Sequence, residues 1–150
     1  MTAIMNNTDS YLDFFDIAVE AYNTKKTDIY RKIMTTLISS YKKLLHEVEI
    51  ENSDLENVDS LTINEEDLDL FYDNMYDMVD LIKLLKSHLL PLKEKDGLFA
   101  DLYQTVDKLH DAFILHIDLI SMQEVRALQK RYAAKNAPNR PPFAFASGHQ

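Results

Sequence analysis

The chain has 150 residues, a formal net charge of −9 at pH 7 and an isoelectric point near 4.9. A chain of this length forms one ordinary domain, and folding removes about 68–70% of the unfolded chain's surface from water. The core is therefore large enough to fold without disulfide bonds or a structural metal. Because the sequence contains no cysteine, disulfides, thiolate metal sites and cysteine nucleophiles are excluded. The acidic balance argues against non-specific binding to nucleic acid or to anionic membranes, since both favour a basic surface.

The small number of glycines and prolines, the residues that form turns and end helices, indicates long helices. Only two glycines and four prolines occur, and three of the prolines lie after residue 137. Hairpins and βαβ turns need more such residues. We therefore predict an all-α fold, an antiparallel bundle of about four helices over residues 1–135, followed by an extended tail over 136–150. No basic segment precedes an apolar run at the N-terminus, and no stretch approaches the roughly 20 apolar residues of a membrane span, which predicts a cytoplasmic protein.

The first two helices are predicted from capping signals and apolar spacing. The first begins with Ser10 as N-cap and runs to about Tyr22. The second begins near Thr27, and its apolar residues follow the 3.6-residue period. These core-facing residues are Ile29, Ile33, Leu37, Tyr41, Leu44 and Val48. Residues 49–62 are polar and acidic, which predicts a loop.

The third and fourth helices carry apolar residues at alternating steps of three and four, the pattern of helices packed at a shallow angle. Asn64 is the predicted cap of the third helix, Pro91 ends it, and the fourth begins near Asp96. The predicted core positions are Leu68, Phe71, Met75, Met78, Ile82, Leu85 and Leu89 in the third helix, and Phe99, Leu102, Val106, Leu109, Phe113, His116 and Ile120 in the fourth.

The fourth helix is predicted to be longer than the third helix that packs on it. Val125, Leu128 and Tyr132 extend its apolar pattern, so an unbroken helix would be about 54 Å long at 1.5 Å per residue. The sequence predicts that this helix either breaks near Ser121 or is covered at its end by another subunit. The second alternative predicts a homodimer.

Four aspartates follow one side of the third helix, and we call Asp69, Asp73, Asp77 and Asp80 the aspartate stripe. On a helical wheel they lie at about 100–180° while the apolar positions cluster near 310°, so the stripe is opposite the core. A solvated face is the simplest interpretation. However, aspartate is a poorer helix former than glutamate, and no lysine follows at i+4, which favours a surface for a partner. Asp111 and Asp118 in the fourth helix also point away from its apolar face.

Charge is segregated along the chain. Residues 47–80 contain thirteen acidic residues and no lysine or arginine, whereas residues 25–43 contain six basic residues and one acidic residue. We predict a non-enzymatic interaction module that binds and regulates or inhibits a basic protein, as antitoxins, immunity proteins and phage inhibitors do. An alternative is mimicry of nucleic acid, although the stripe has about one charge per 4 Å and duplex DNA has one per ~1.7 Å.

A second alternative is an enzyme, or a ligand- or metal-binding bundle, with a pocket between the helices. Its residues would include His116, Tyr103, His110 and Tyr41. The paired Glu-x-x-His elements of di-iron bundles, glycine-rich phosphate loops and nucleophile elbows do not occur. The nearest analogue of a metal-binding pair is Asp107 with His110. We therefore predict no catalytic residue, metal or cofactor.

The last residues form the other informative segment. Phe143 and Phe145 alternate directly after Pro141 and Pro142, and the prolines favour an extended chain. Two interpretations stay open: a frayed terminus, or a short docking segment whose aromatic rings enter pockets on a partner or on a second copy.

Overall fold

The computed structural model of the chain describes residues 8–57 and 65–136. Over these ranges the chain forms four helices, α1 (Thr8–Asn23), α2 (Thr27–Glu56), α3 (Glu65–Leu89) and α4 (Gly97–Asn136). They pack against each other and no strand occurs among the described residues, so the predicted all-α bundle with a long last helix is confirmed. The predicted cap Asn64 and the tail after residue 136 lie outside the described residues.

Helices that follow one another in the chain run antiparallel, while α2 and α4 run parallel. The Tyr30 hydroxyl at the beginning of α2 donates to Asp96 Oδ2, directly before α4, over 2.7 Å. Further along the same two helices, the Asn52 amide nitrogen donates to the Ala112 carbonyl over 3.0 Å. The α2–α4 contact is the most extensive in the bundle. This parallel pair therefore forms the centre of the fold.

The other two helices pack mainly on different members of this pair, and they also contact each other. Helix α3 packs antiparallel on α4, as shown by the ion pair between Lys86 and Asp107 and, further along, by the contact between the Tyr72 and Ser121 hydroxyls. Helix α1 packs mainly on α2. Since α1 has 16 residues and α2 has 30, α1 is about 24 Å long against about 45 Å. It therefore reaches about half-way along α2.

Aromatic side chains fill the half of the core that α1 covers. Phe99 of α4 has its ring centroid 5.1 Å from those of Tyr22 and Tyr30 and 6.4 Å from that of Phe15. Edge-to-face pairs of this kind are favourable beyond the area they bury. Asp96 caps α4 here, because its carboxylate accepts the backbone N–H of Leu98 over 3.0 Å. We call this half the aromatic end.

The core agrees with the predicted apolar positions in α3 and α4 and differs from them at the start of α2, and α1 begins earlier than predicted. All seven predicted positions of α4 are buried, as are all those of α3 except the half-buried Phe71. Ile29 in α2 is exposed instead, because the core side of this first turn is taken by the buried Tyr30 and Met34. Ser10 lies inside α1, which begins at Thr8.

The prediction of a loop over residues 49–62 is wrong for its first half, since α2 continues to Glu56. Asn52 takes the buried position one turn after Val48. Its side chain is polar, but hydrogen bonds to α4 satisfy it, so burial carries little penalty. The polar composition of this segment concealed its helical period. Residues 58–62 lie outside the described ranges.

Helix α4 is unbroken, so the alternative of a break near Ser121 is wrong. Its 40 residues make it about 60 Å long. Gln123 is its last buried residue, and no side chain from Glu124 to Lys135 is buried. We call residues 125–135 the α4 extension.

Candidate functional site

The aspartate stripe lies on the exposed side of α3. Its four carboxylates are all exposed, and within the described part of the chain none of them forms an ion pair or a hydrogen bond. The opposite side of α3 is anchored in the core by Leu68, Met75 and Met78. Exposed apolar side chains, Leu70 and Tyr76, lie among the aspartates. The stripe is therefore a mixed acidic and apolar surface.

The two predicted aspartates of α4 are also exposed, but they do not extend the stripe in the same way. Asp111 lines a surface groove of about 450 Å³ between α2 and α4, together with Glu49 and Glu56. The other lining residues are Asn52, Ser53, Lys108, Ala112 and Leu115. The structure thus groups Asp111 with acidic residues of α2. Asp118 is exposed about two turns further along α4 and does not line this groove.

Glu49 and Glu56 were missed as site residues because the segment that contains them was predicted to be a loop. Three carboxylates and one cation, Lys108, line the groove. Ala112 and Leu115 give it an apolar part. The steps of four and three from Val48 through Asn52 to Leu55 are the sequence signal that could have placed these glutamates on a helix.

A buried histidine and a buried asparagine join α2 to α4 beneath this surface. His116 Nδ1 lies 2.7 Å from Asn52 Oδ1, and both residues are buried. The Asn52 amide nitrogen donates to the Ala112 carbonyl, so its oxygen must be the atom that faces the histidine. An amide oxygen only accepts, and His116 therefore carries a proton on Nδ1.

The other ring nitrogen of His116 faces a carboxylate. Nε2 lies 3.8 Å from Glu51 Oε2. Burial lowers the pKa of His116, while partial burial, together with the negative charges of Glu47 and Asp54, raises the pKa of Glu51. An ion pair would act in the opposite direction on both groups. Burial dominates because the pair is long and Glu51 is half exposed to water, so His116 is neutral near pH 7.

Further polar contacts lie beside this pair. The Gln123 amide nitrogen donates to the Leu55 carbonyl over 3.0 Å. The Tyr72 hydroxyl contacts Ser121 Oγ at 3.0 Å and Glu124 Oε1 at 3.1 Å, and burial is the main cause that raises the pKa of Tyr72. We call this half of the bundle, with Asn52 and His116 at its centre, the polar end. No sequence pattern predicted these pairings, because each one joins residues far apart in the chain.

The residues proposed for an enzymatic pocket are not joined by these contacts. His116 contacts Asn52 and, ring to ring at 5.5 Å, Phe71. Tyr103 lies instead beneath the ammonium groups of Lys86 and Lys93, at 5.9 and 4.7 Å from its ring centroid. Tyr41 is buried on α2 and His110 is half-buried on α4, and neither takes part in the contacts of His116 described above.

Metal and membrane chemistry find no support among the described residues. Asp107 is held by Lys86 at 2.6 Å rather than directed to a shared ion with His110. In the part of the chain that the structure describes, no three histidine, aspartate or glutamate side chains are grouped so that they could hold a metal ion. None of the described helices has the length and apolar character that a bilayer crossing requires. Phe143 and Phe145, the predicted docking residues, lie outside the described residues.

Comparison with known proteins adds no relative. No family model, no curated protein and no solved structure matches this chain.

Proposed function

We propose that this protein is a non-enzymatic interaction module that binds a basic protein through the aspartate stripe and so regulates or inhibits it. The observation that carries the proposal is the exposure of four aspartates on one side of α3, none of which forms an ion pair within the described part of the chain. A cytoplasmic location stays a prediction from the sequence.

The stripe weakens the helix that carries it, which supports a role outside the fold. Asp69 and Asp73, and likewise Asp73 and Asp77, are spaced i,i+4. Like charges at this spacing destabilise a helix by about 0.2–0.5 kcal/mol per pair, and aspartate has a low helix propensity. A basic partner would relieve this repulsion by placing lysine or arginine between the carboxylates. The loss of this repulsion would then add to the free energy of association.

The apolar residues on the same surface supply the other part of an interface. Protein interfaces combine an apolar, often aromatic, centre with a charged and polar rim. Leu70 and Tyr76 lie on the two flanks of the stripe, each about 60° around the helix from Asp73, and can supply the apolar contacts beside the carboxylates. The acidic groove with Glu49, Glu56 and Asp111, and the exposed Asp118, offer further contacts for a partner that extends past α3.

The test compares two variants that remove the same charge from different surfaces. The stripe variant carries Asp→Asn at positions 69, 73, 77 and 80, which keeps the side-chain shape. The control carries Asp13→Asn, Asp16→Asn, Glu20→Gln and Asp28→Asn, which are exposed residues of α1 and α2. Each is used, beside the wild type, to capture proteins from lysate of its own cells, and captured basic proteins are then purified and titrated by calorimetry.

We expect a basic protein to bind the wild type and the control alike, with an affinity that falls as salt is raised, and to bind the stripe variant at least about tenfold more weakly. Equal binding by a folded stripe variant, or capture of no basic protein by the wild type, would contradict the proposal. Circular dichroism verifies that both variants remain helical.

A further inference from the structure

The α4 extension presents apolar side chains that the described residues of the chain do not bury. Val125 and Leu128 are each 51% exposed, and Tyr132 is 63% exposed. Their spacing of three and four places them on one face of the helix. Leu128 lies more than a turn beyond Gln123, the last buried residue of α4. An apolar helix face in water at the end of a long helix is typical of a contact with another chain.

The charge of the extension is opposite to that of the rest of the protein. Residues 125–135 contain Arg126, Lys130, Arg131 and Lys135 and no acidic residue, so they carry +4 while the remainder of the chain carries −13 (−9 − 4 = −13). Within the described part of the chain, none of these four cations forms an ion pair. The extension is therefore amphipathic and basic.

The aspartate stripe has the complementary properties. Its carboxylates lie beside the exposed Leu70 and Tyr76, just as Arg131 and Lys135 lie beside Leu128 on the helical wheel of the extension. The two surfaces also agree in length. From Asp69 to Asp80 is about 16 Å along the helix axis, and from Val125 to Lys135 is about 15 Å.

A chain cannot bring its own extension onto its own stripe. Helix α4 is continuous from Gly97 to Asn136, and the stripe faces away from the core against which α4 packs. Contact within one chain would require α4 to break and fold back around α3. The contact therefore has to be made between two copies.

We propose that the α4 extension of one copy docks on the aspartate stripe of a second copy, and that the second copy returns the same contact. Such an exchange is self-complementary and closes with two-fold symmetry. It places Arg131 and Lys135 against the carboxylates, and Leu128 beside them against the exposed apolar residues of the stripe. A basic partner at the stripe would have to compete with this contact.

The experiment is a charge exchange, measured by sedimentation velocity over a range of concentrations. The extension variant is Arg131→Glu with Lys135→Glu, and the stripe variant for this experiment is Asp73→Lys with Asp77→Lys. The control is Arg31→Glu with Lys32→Glu, which makes the same charge change at exposed positions of α2. A fourth protein combines the extension and stripe changes in one chain.

We expect the wild type and the control to form dimers that weaken as salt is raised. The extension and stripe variants should each dissociate at least about tenfold more readily, because like charges then meet. The combined variant should recover the dimer, since its charges are opposite again. Recovery also shows that the single variants failed through charge and not through misfolding.

Three outcomes would overturn the inference: a monomeric wild type, a control that loses the dimer as readily as the extension variant, or a combined variant that stays monomeric. The inference and the proposed function fail separately. Only the stripe variant should lose a basic partner, whereas the extension variant should lose the dimer and keep that partner.

Discussion

The two ends of the bundle are held together by different chemistry. At the aromatic end, Phe15, Tyr22, Tyr30 and Phe99 pack ring against ring under the cover of α1. At the polar end, a histidine and two amides are buried between α2 and α4 and form hydrogen bonds with each other or with backbone carbonyls. Apolar contacts tolerate a small shift between helices, whereas a hydrogen bond is lost with it. The comparison indicates that the aromatic end supplies most of the stability, while the polar end, together with the Tyr30–Asp96 hydrogen bond at the other end, supplies alignment.

This alignment concerns the parallel pair α2 and α4. Asn52 uses its oxygen for His116 and its nitrogen for the Ala112 carbonyl, so both ends of one amide are committed to α4. If α2 moved by one turn, about 5.4 Å, both bonds would be lost and two buried polar side chains would stand in an apolar core. A buried asparagine fixes the register of coiled coils in the same way.

The largest effect is expected at the aromatic end. Phe99→Ala removes a completely buried ring that contacts three other rings, and should lower the free energy of unfolding by about 3–5 kcal/mol. Urea denaturation followed by circular dichroism measures it. Phe14→Ala is the matched control, because Phe14 is on α1 and exposed, and it should change the free energy by less than about 1 kcal/mol. Similar losses in the two variants would refute the assignment of this core.

At the polar end, Asn52→Ala should cost less, about 1–3 kcal/mol, because the Nδ1–H of His116 is left buried without an acceptor. Asn57→Ala at the exposed end of α2 serves as control. The sharper measurement is a double-mutant cycle with His116→Leu. Once Asn52 is absent, replacing the histidine should cost much less than it does in the wild type. Additive losses would show that the two residues do not act as a pair.

The sequence predicted the buried positions of the aromatic end and the exposure of the stripe better than it predicted the contacts of the polar end. The apolar steps from Phe99 to Ile120 and the position of the aspartates opposite the core depend only on helical geometry, and both are confirmed. The second half of α2 depends on contacts with α4 that are 60 or more residues away in the chain, as those of Asn52 are. For the same reason the grouping of Asp111 with Glu49 and Glu56 was not predictable from α4 alone.

The smallest expected effect is the pH dependence of stability, which comes from titrating groups at the polar end. Burial lowers the pKa of His116. Below the ordinary histidine value of 6.5, the unfolded chain therefore binds a proton at this residue more strongly than the folded chain does. The contribution of His116 is therefore fully present above about pH 6.5 and is lost as the pH falls from there. Glu51 has the opposite sign, since its raised pKa makes the folded chain the stronger proton binder and its contribution is lost as the pH rises above about 4.5.

Measuring the free energy of unfolding at several values between about pH 7 and 5 isolates the histidine, because His116→Gln removes its slope and leaves that of Glu51. We expect the wild type to lose stability on acidification relative to this variant, and His46→Gln, an exposed histidine of α2, to follow the wild type. The effect is smaller than that of Asn52→Ala near neutral pH, where His116 is neutral and its bond to Asn52 is intact. Parallel pH curves for the wild type and His116→Gln would mean that the polar end admits water to the ring, and that its alignment of α2 with α4 does not depend on a dry hydrogen bond.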